Sequence, residues 1–183
     1  AEETISDYQI SVGAPIVPDV ECLYDEKHGL LFGKAFDNRL GCASIINTLQ
    51  TLQGQALRVN VIGAFASQEE VGTRGATVTV QRVKPDIAIC FEGCPADDTV
   101  VPSYQIQTAI KKGPMLRYID AKMISNPRFQ HFALETAKDF GIPVQTAVRS
   151  GGATDGAPIH TGCFAVPVIV IGIPVRYAHT HYG

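Results

Sequence analysis

The chain has 183 residues, 45% of them hydrophobic and 18% charged, and 15 Lys and Arg against 18 Asp and Glu leave a formal net charge of −3. That length and apolar fraction suit one globular domain with a sizeable core and argue against disorder. Without clustered Lys and Arg the chain offers no footprint for nucleic acid or an anionic membrane surface, and no apolar run reaches the roughly 18 residues of a membrane helix, so a small or peptide-like partner is expected.

The start, Ala1-Glu2-Glu3-Thr4, has neither the basic nor the apolar region of a signal peptide, which predicts a cytoplasmic protein. Residues 1–30 carry prolines and turn residues around short apolar pieces and read as a link or peripheral flap, with the main domain starting near Leu31. Leu40, Ala43, Ile46, Leu49 and Leu52 fall near helical spacing, and Gly54 follows as a stop, which predicts a helix over Leu40–Leu52. Arg58–Ala66, with Val59, Val61 and Ile62, predicts a buried strand. Gly75–Val83 is ambiguous: Thr77-Val78-Thr79-Val80 alternates like an edge strand, and local propensity favours strand. Ile87–Phe91 and Val166–Ile171 are short β-branched runs and predict two more core strands. Between them, Asn126-Pro127 opens a helical pattern through Phe129, Phe132, Ala133, Ala137 and Phe140 that Gly141 closes, and Val144–Val148 follows as a further strand. Strands alternating with helices predict a layered α/β fold.

Five cysteines, Cys22, Cys42, Cys90, Cys94 and Cys163, form no CxxC pair, so neither a disulfide framework nor a thiolate zinc site is expected. Reduced core or loop thiols are the reading, with Cys90 and Cys94 as the alternative ligands.

Four places bring charged groups to the ends of apolar runs, where a cleft can form. Asp37, in Phe36-Asp37-Asn38-Arg39, stands at the start of the first helix, where a plain N-cap would also explain it. Glu69 and Glu70 follow the strand ending at Ala66, and adjacent side chains of an extended segment point opposite ways, so one can bind a metal while its neighbour moves a proton; a solvated acidic turn is the bland alternative. Glu92 ends the Ile89-Cys90-Phe91 run, with Asp97 and Asp98 just beyond. Pro174-Val175-Arg176-Tyr177-Ala178-His179-Thr180-His181 follows the last strand and offers two histidines; a lone His is more often structural, but carboxylates completed by an imidazole suit zinc, cobalt or manganese.

Phe36-Asp37-Asn38-Arg39, Glu69-Glu70-Val71-Gly72, Gly151-Gly152-Ala153-Thr154-Asp155-Gly156 and Ile173-Pro174-Val175-Arg176-Tyr177-Ala178-His179, in this order, resemble the tetrahedral and glutamyl aminopeptidase family of two-metal metallopeptidases. Each motif alone is weak; the ordered set, over about residues 15–183, is specific. The resemblance implies a three-layer zinc-exopeptidase fold, a mixed β-sheet sandwiched by helices, in which Gly75–Val83 is helical. It implies two divalent ions, zinc first with cobalt or manganese as alternatives, bridged by Asp37, with Glu70 and Glu92 as carboxylate ligands and His179 as the imidazole. Glu69 becomes the general base on a water shared by the two ions. The implied activity is removal of the N-terminal residue of peptides, whose free α-amine can coordinate a metal, by a large homo-oligomer, commonly a dodecamer. Asp155 lies in a segment with an extra Ala153 relative to the family's Gly-Gly-Thr-Asp and carries no assigned role.

The family's fifth ligand, a His followed two residues later by Asp, does not occur here, since His28, His131, His160, His179 and His181 all lack it. Residues 1–30 resemble only the tail of the family's inserted small β domain, and the helix that normally follows His181 is missing. Residues 31–183 are therefore expected to be an incomplete catalytic domain from a longer protein. Two other readings share these residues: a non-catalytic, peptide-binding homologue with an incomplete site, and a two-metal hydrolase of other acylated amines or sugars.

Overall fold

The computed structural model describes residues 2–162 and 164–183. Ala1 and Cys163, each part of an expectation above, lie outside the described residues. In chain order the elements are α1 (Glu2–Tyr8), β1 (Leu23–Asp25), β2 (Leu30–Phe32), α2 (Phe36–Leu52), α3 (Arg74–Val83), β3 (Ala88–Pro95), β4 (Met115–Ile119), α4 (Pro127–Asp139), β5 (Gln145–Val148), α5 (Gly156–Thr161) and β6 (Val168–Val175). β1 and β2 form an antiparallel hairpin whose turn is tied by Asp25, which accepts from the His28 backbone N–H at 3.1 Å and pairs with its imidazole.

The main sheet has the order β3-β6-β4-β5. β3 and β6 are parallel along their whole length, from Ala88 opposite Val168 to Pro95 opposite Val175. β4 runs antiparallel to β6 and parallel to β5, which makes the sheet mixed, as expected. Helices cover both faces. On one, α2 lies so close that an added Cβ at Gly93 would come within 2.8 Å of Asp37 Cα. On the other, Ala157 and Ile159 of α5 and Val80 of α3 pack with Cys90, Met123, Val166, Val168 and Val170. A second small cluster joins Cys94, Met115 and Ala147.

Local chemistry explains most boundaries. α4 begins at Asn126, whose carboxamide oxygen accepts from the N–H groups of Arg128 and Phe129, with Pro127 in the first turn where no amide is needed. It stops before Gly141, which has φ +63°. In α2 the hydroxyls of Ser44, Thr48 and Thr51 donate to carbonyls four residues earlier, so these poor helix formers keep their polar groups satisfied.

Two expectations need correction, and one further strand was not expected. Gly75–Val83 is helical, as the resemblance implied and local propensity did not: Ala76 and Val80, four apart, are buried on one side of α3, and tertiary packing overrides the β-branched preference. Arg58–Ala66 is not a strand. Residues 60–69 have no regular structure, and Val59, Val61, Ile62 and Phe65 are exposed; an extended run becomes a strand only when a neighbour supplies the ladder, and no described residue does. Met115–Ile119 is a strand that sequence pattern did not show, since Arg117 interrupts its apolar run. That guanidinium is buried with Asp120 at 3.3 Å, so the charge is tolerated in mid-sheet through its partner.

Candidate metal centre

Asp37 sits in the first turn of α2 but caps nothing. It and Asn38 depart from helical φ/ψ, the peptide between them is cis, and the residue before the helix is Ala35, at φ +54°. The plain N-cap explanation therefore fails. Asn38 fixes the local backbone instead: its amide donates to Phe91 O at 2.8 Å and its oxygen accepts from Gly41 N at 3.0 Å, which ties the turn to β3. Gly93 lets the two backbones approach to a distance that no side chain would allow.

Glu69 and Glu70 lie in a turn held by the N-terminus of α3. Gly75 N donates to Ser67 O at 2.9 Å, Arg74 N to Gln68 O at 3.2 Å, and both Gly72 N and Thr73 N to Glu69 O. Gly75 is required here as well, because a Cβ would lie 2.3 Å from Ser67 O and 2.4 Å from Ser67 N. Gln68, at φ +61°, turns the chain just before the acidic pair.

His179 follows β6 in a loop pinned from two sides. Arg176 forks onto Asp98, Nε to Oδ1 at 3.0 Å and Nη2 to Oδ2 at 2.8 Å, a bidentate geometry that holds the start of the loop and keeps Asp98 below the usual carboxylate range. Gly33 and Gly183 exchange backbone hydrogen bonds, which anchor its far end beside the segment leading into Asp37.

These three elements converge. His179 Nε2 is 2.8 Å from Asp37 Oδ2 and 3.3 Å from Glu70 Oε1. One ligand atom from each of Asp37, Glu70 and His179 lies within 4.8 Å of the other two, a spacing that can close on a single cation. Two carboxylates and an imidazole form an N/O donor set suited to zinc, cobalt or manganese. The Asp37 hydrogen bond, and then the Glu70 charge, raise the imidazole's pKa.

Glu92 is buried behind this group. Burial first, then its hydrogen bond to Asp37 and the Asp37 charge, push its pKa up to about 9, so at neutral pH it carries a proton and donates it to the Asp37 carboxylate. Glu92 is not one of the three residues whose ligand atoms converge, but as a buried acid touching Asp37 it could serve as a further oxygen donor on losing that proton. Glu69 is raised to about 7, by burial first and then by the charges of Asp155, Glu70 and Asp37. A carboxyl poised near neutrality can both accept and return a proton.

Asp155, left without a role by its sequence context, stands at the N-terminus of α5, half-buried, with its own pKa raised by burial. Its charge acts on Glu69 and on Cys90. The signal that could have marked it is the Gly-Gly-x-Thr-Asp segment itself, since Thr154 is wholly buried and seats the Asp beside the acidic pair. Cys90 and Cys94 are buried with thiols pushed up to about 12, mainly by burial, which makes them poor ligands; Cys22 and Cys42 are exposed, and all four are free thiols. The loop after β3 is fastened apart from the cluster: Asp97 accepts from Gln107 N, Thr108 N and Arg149 Nη1.

Comparison with known proteins bears on this arrangement. The family model described as M42 glutamyl aminopeptidase matches residues 1–183. A glutamyl aminopeptidase of Lactococcus lactis subsp. cremoris is 32% identical over 176 residues, 96% of this chain and 48% of its own. Among solved structures, a TET aminopeptidase from a marine sediment Thaumarchaeota archaeon superposes with a TM-score of 0.94 at 36% identity, covering 100% of this chain and 52% of that one. An aminopeptidase from Desulfurococcus kamchatkensis gives 0.90 at 30% identity, covering 100% and 51%. The chain thus spans about half the length of these relatives.

Proposed function

Because the chain belongs to the M42 glutamyl aminopeptidase family, we propose that it supplies most of the catalytic domain of a metal-dependent aminopeptidase that hydrolyses the N-terminal residue from peptides. The observation that carries this reading is the convergence of Asp37, Glu70 and His179 on one another, with Glu69 beside them at a pKa of about 7. Asp37, Glu70 and Glu92 would hold the metal through carboxylate oxygens, with Asp37 shared between two ions, and His179 would hold it through its imidazole. Bound there, two divalent ions, zinc first and cobalt or manganese as alternatives, supply a nucleophile at neutral pH and positive charge for the tetrahedral oxyanion.

The chain's own residues do the rest. Glu69 removes the proton from the attacking water and delivers it to the nitrogen of the breaking peptide bond, so the amine leaves neutral. Asn38 and Gly93 hold Asp37 against β3, and Gly75 holds the turn that presents Glu69. Asp155, by adding negative charge near Glu69, supports the raised pKa that lets this carboxyl return the proton. Residues 31–183 form the catalytic part, with residues 1–30 as the tail of a second small domain. Assembly into a large homo-oligomer and a cytoplasmic setting belong to the same proposal; free thiols at the four described cysteines fit the latter, and no described helix is long and apolar enough to cross a membrane.

The test is metal analysis and turnover of the whole protein. Two ions per chain and cleavage of an aminoacyl anilide whose α-amine is free, with the N-acetylated analogue untouched, are expected. Glu70→Gln should lose metal. A wild-type protein that binds peptide but no metal and cleaves neither substrate would refute the reading in favour of a non-catalytic homologue.

A further inference from the structure

Residues 96–114 join β3, which carries Glu92, to β4. The two ends of this long connection are zipped together. Asp97 N donates to Thr108 O at 2.9 Å, and Asp97 Oδ1 accepts from Gln107 N at 3.1 Å and from Thr108 N at 2.9 Å. Asp98 Oδ2 accepts from Ile110 N at 3.2 Å. The Gln145 carboxamide, at the start of β5, accepts from Ala109 N and donates to the carbonyls of Ala109 and Gly113.

The adjacent carboxylates of Asp97 and Asp98 then reach two different arginines. Asp98 takes the fork of Arg176, three residues before His179. Asp97 Oδ2 accepts from Nη1 of Arg149, the residue after β5, at 2.9 Å. Arg149 is shared further: its Nη2 donates to Thr108 Oγ1 at 2.6 Å and, at 3.2 Å, to the carbonyl of Pro95, the last residue of β3. Asp97 is buried, so this guanidinium compensates a charge that water barely reaches.

We propose that Arg149 is a positioning residue for His179, acting through Asp97 and Asp98; this rests on the reading of His179 as a metal ligand. Without the guanidinium, the Asp97 carboxylate is left buried and uncompensated. The loop relieves that by turning Asp97 towards water, which withdraws it from Gln107 N and Thr108 N. One peptide bond joins Asp97 to Asp98, so the Asp98 carboxylate moves with it and falls out of register with Arg176. A bidentate fork tolerates little displacement, because both of its hydrogen bonds need the two planar groups aligned. The His179 side chain is 65% exposed and has little packing of its own, so its aim depends on the loop that Arg176 pins.

Cobalt titration of the metal-free whole protein tests this, with the visible absorption of the bound ion as a second readout that reports its ligands. His179→Ala identifies the affinity that depends on the imidazole. Groups that orient a metal ligand are worth about 10- to 100-fold in affinity, and Arg149→Met, one contact further out, should weaken that same affinity by about 10-fold and alter the absorption. On an Arg176→Met background it should add nothing, because both act through the one fork. Asn126→Ala, destabilised at the distant cap of α4, should change neither readout. Should Arg149→Met not fold, Arg149→Lys, which keeps the charge and loses the three-way contact, is read in its place and should still weaken cobalt binding. Wild-type affinity and absorption in the Arg149 variant would overturn the proposal. So would full additivity with Arg176→Met, or an equal loss in Asn126→Ala. Unchanged cobalt binding in His179→Ala would instead overturn the ligand assignment, and the proposal with it.

Discussion

Gly75→Ala sets two effects of opposite sign against each other. In an unconstrained helix the change favours folding by about 1 kcal/mol, because alanine has less conformational freedom to lose. At this position the new methyl would lie 2.3 Å from Ser67 O and 2.4 Å from Ser67 N, well inside the 3.0 Å that real Cβ atoms keep. Both neighbours are backbone, so no side chain can swing away, and the Ser67 segment must move by about 0.7 Å or more. Overpacking of this kind costs about 1–3 kcal/mol, which outweighs the propensity gain. The displacement also reaches Glu69 two residues on, where a misplacement of about 1 Å in a reacting group costs on the order of 100-fold in rate. Denaturant unfolding and turnover of the whole protein, measured beside Val78→Ala, are the assay. Val78 is exposed on the same helix, so its replacement isolates the propensity gain. Gly75→Ala should be less stable than wild type and slower by about two orders of magnitude, with Val78→Ala at or above wild-type stability. A Gly75→Ala protein that matches Val78→Ala in stability and keeps full turnover would refute the claim that this contact positions the acidic pair.

Asn126→Ala removes the oxygen that accepts from Arg128 N and Phe129 N and should lower stability by about 1 kcal/mol, read by urea unfolding, without changing metal content. Glu92, raised to about 9, keeps its proton in the folded metal-free protein and loses it in the unfolded chain above the ordinary carboxylate range, so metal-free stability should fall as pH climbs from about 5 towards 9. Thermal melts in chelator should show that slope, and Glu92→Gln should flatten it. For the same reason metal binding should release a proton near neutrality, and calorimetry in buffers of different ionisation enthalpy should detect it.

How much was legible in the sequence followed from how local the determining physics is. α4 could be read to its ends because Asn126, Pro127 and Gly141 each act through their own backbone. β3 and β6 were legible because a strand buried on both faces must be apolar throughout. The same rule failed for Arg58–Ala66, which is apolar along its length yet unpaired among the described residues, with Val59, Val61, Ile62 and Phe65 exposed. α3 was misjudged by propensity because Val80 is buried by residues of α5 and the main sheet, distant in sequence. β4 was hidden by Arg117, whose partner Asp120 no periodicity would pick out. At the site, residue types at the ends of apolar runs raised Asp37, Glu69, Glu70, Glu92 and the His179–His181 segment as candidates, the resemblance chose His179 among them, and Asp37, Glu70 and His179 meet. The contributions of Gly75 and Gly93 were not legible, since close backbone approach leaves no mark beyond a glycine.

The proposed chemistry depends most on the division of labour within the acidic pair, which Glu69→Gln in the whole protein would separate. The substitution keeps size and hydrogen-bonding capacity while abolishing the carboxylate, so the metal content measured by mass spectrometry should equal that of wild type. Turnover of a free-amine aminoacyl anilide should fall by about 100- to 10,000-fold, the loss expected for a missing general base. Metal content that falls along with turnover would make Glu69 a ligand, and turnover close to wild type would remove it from the chemistry altogether.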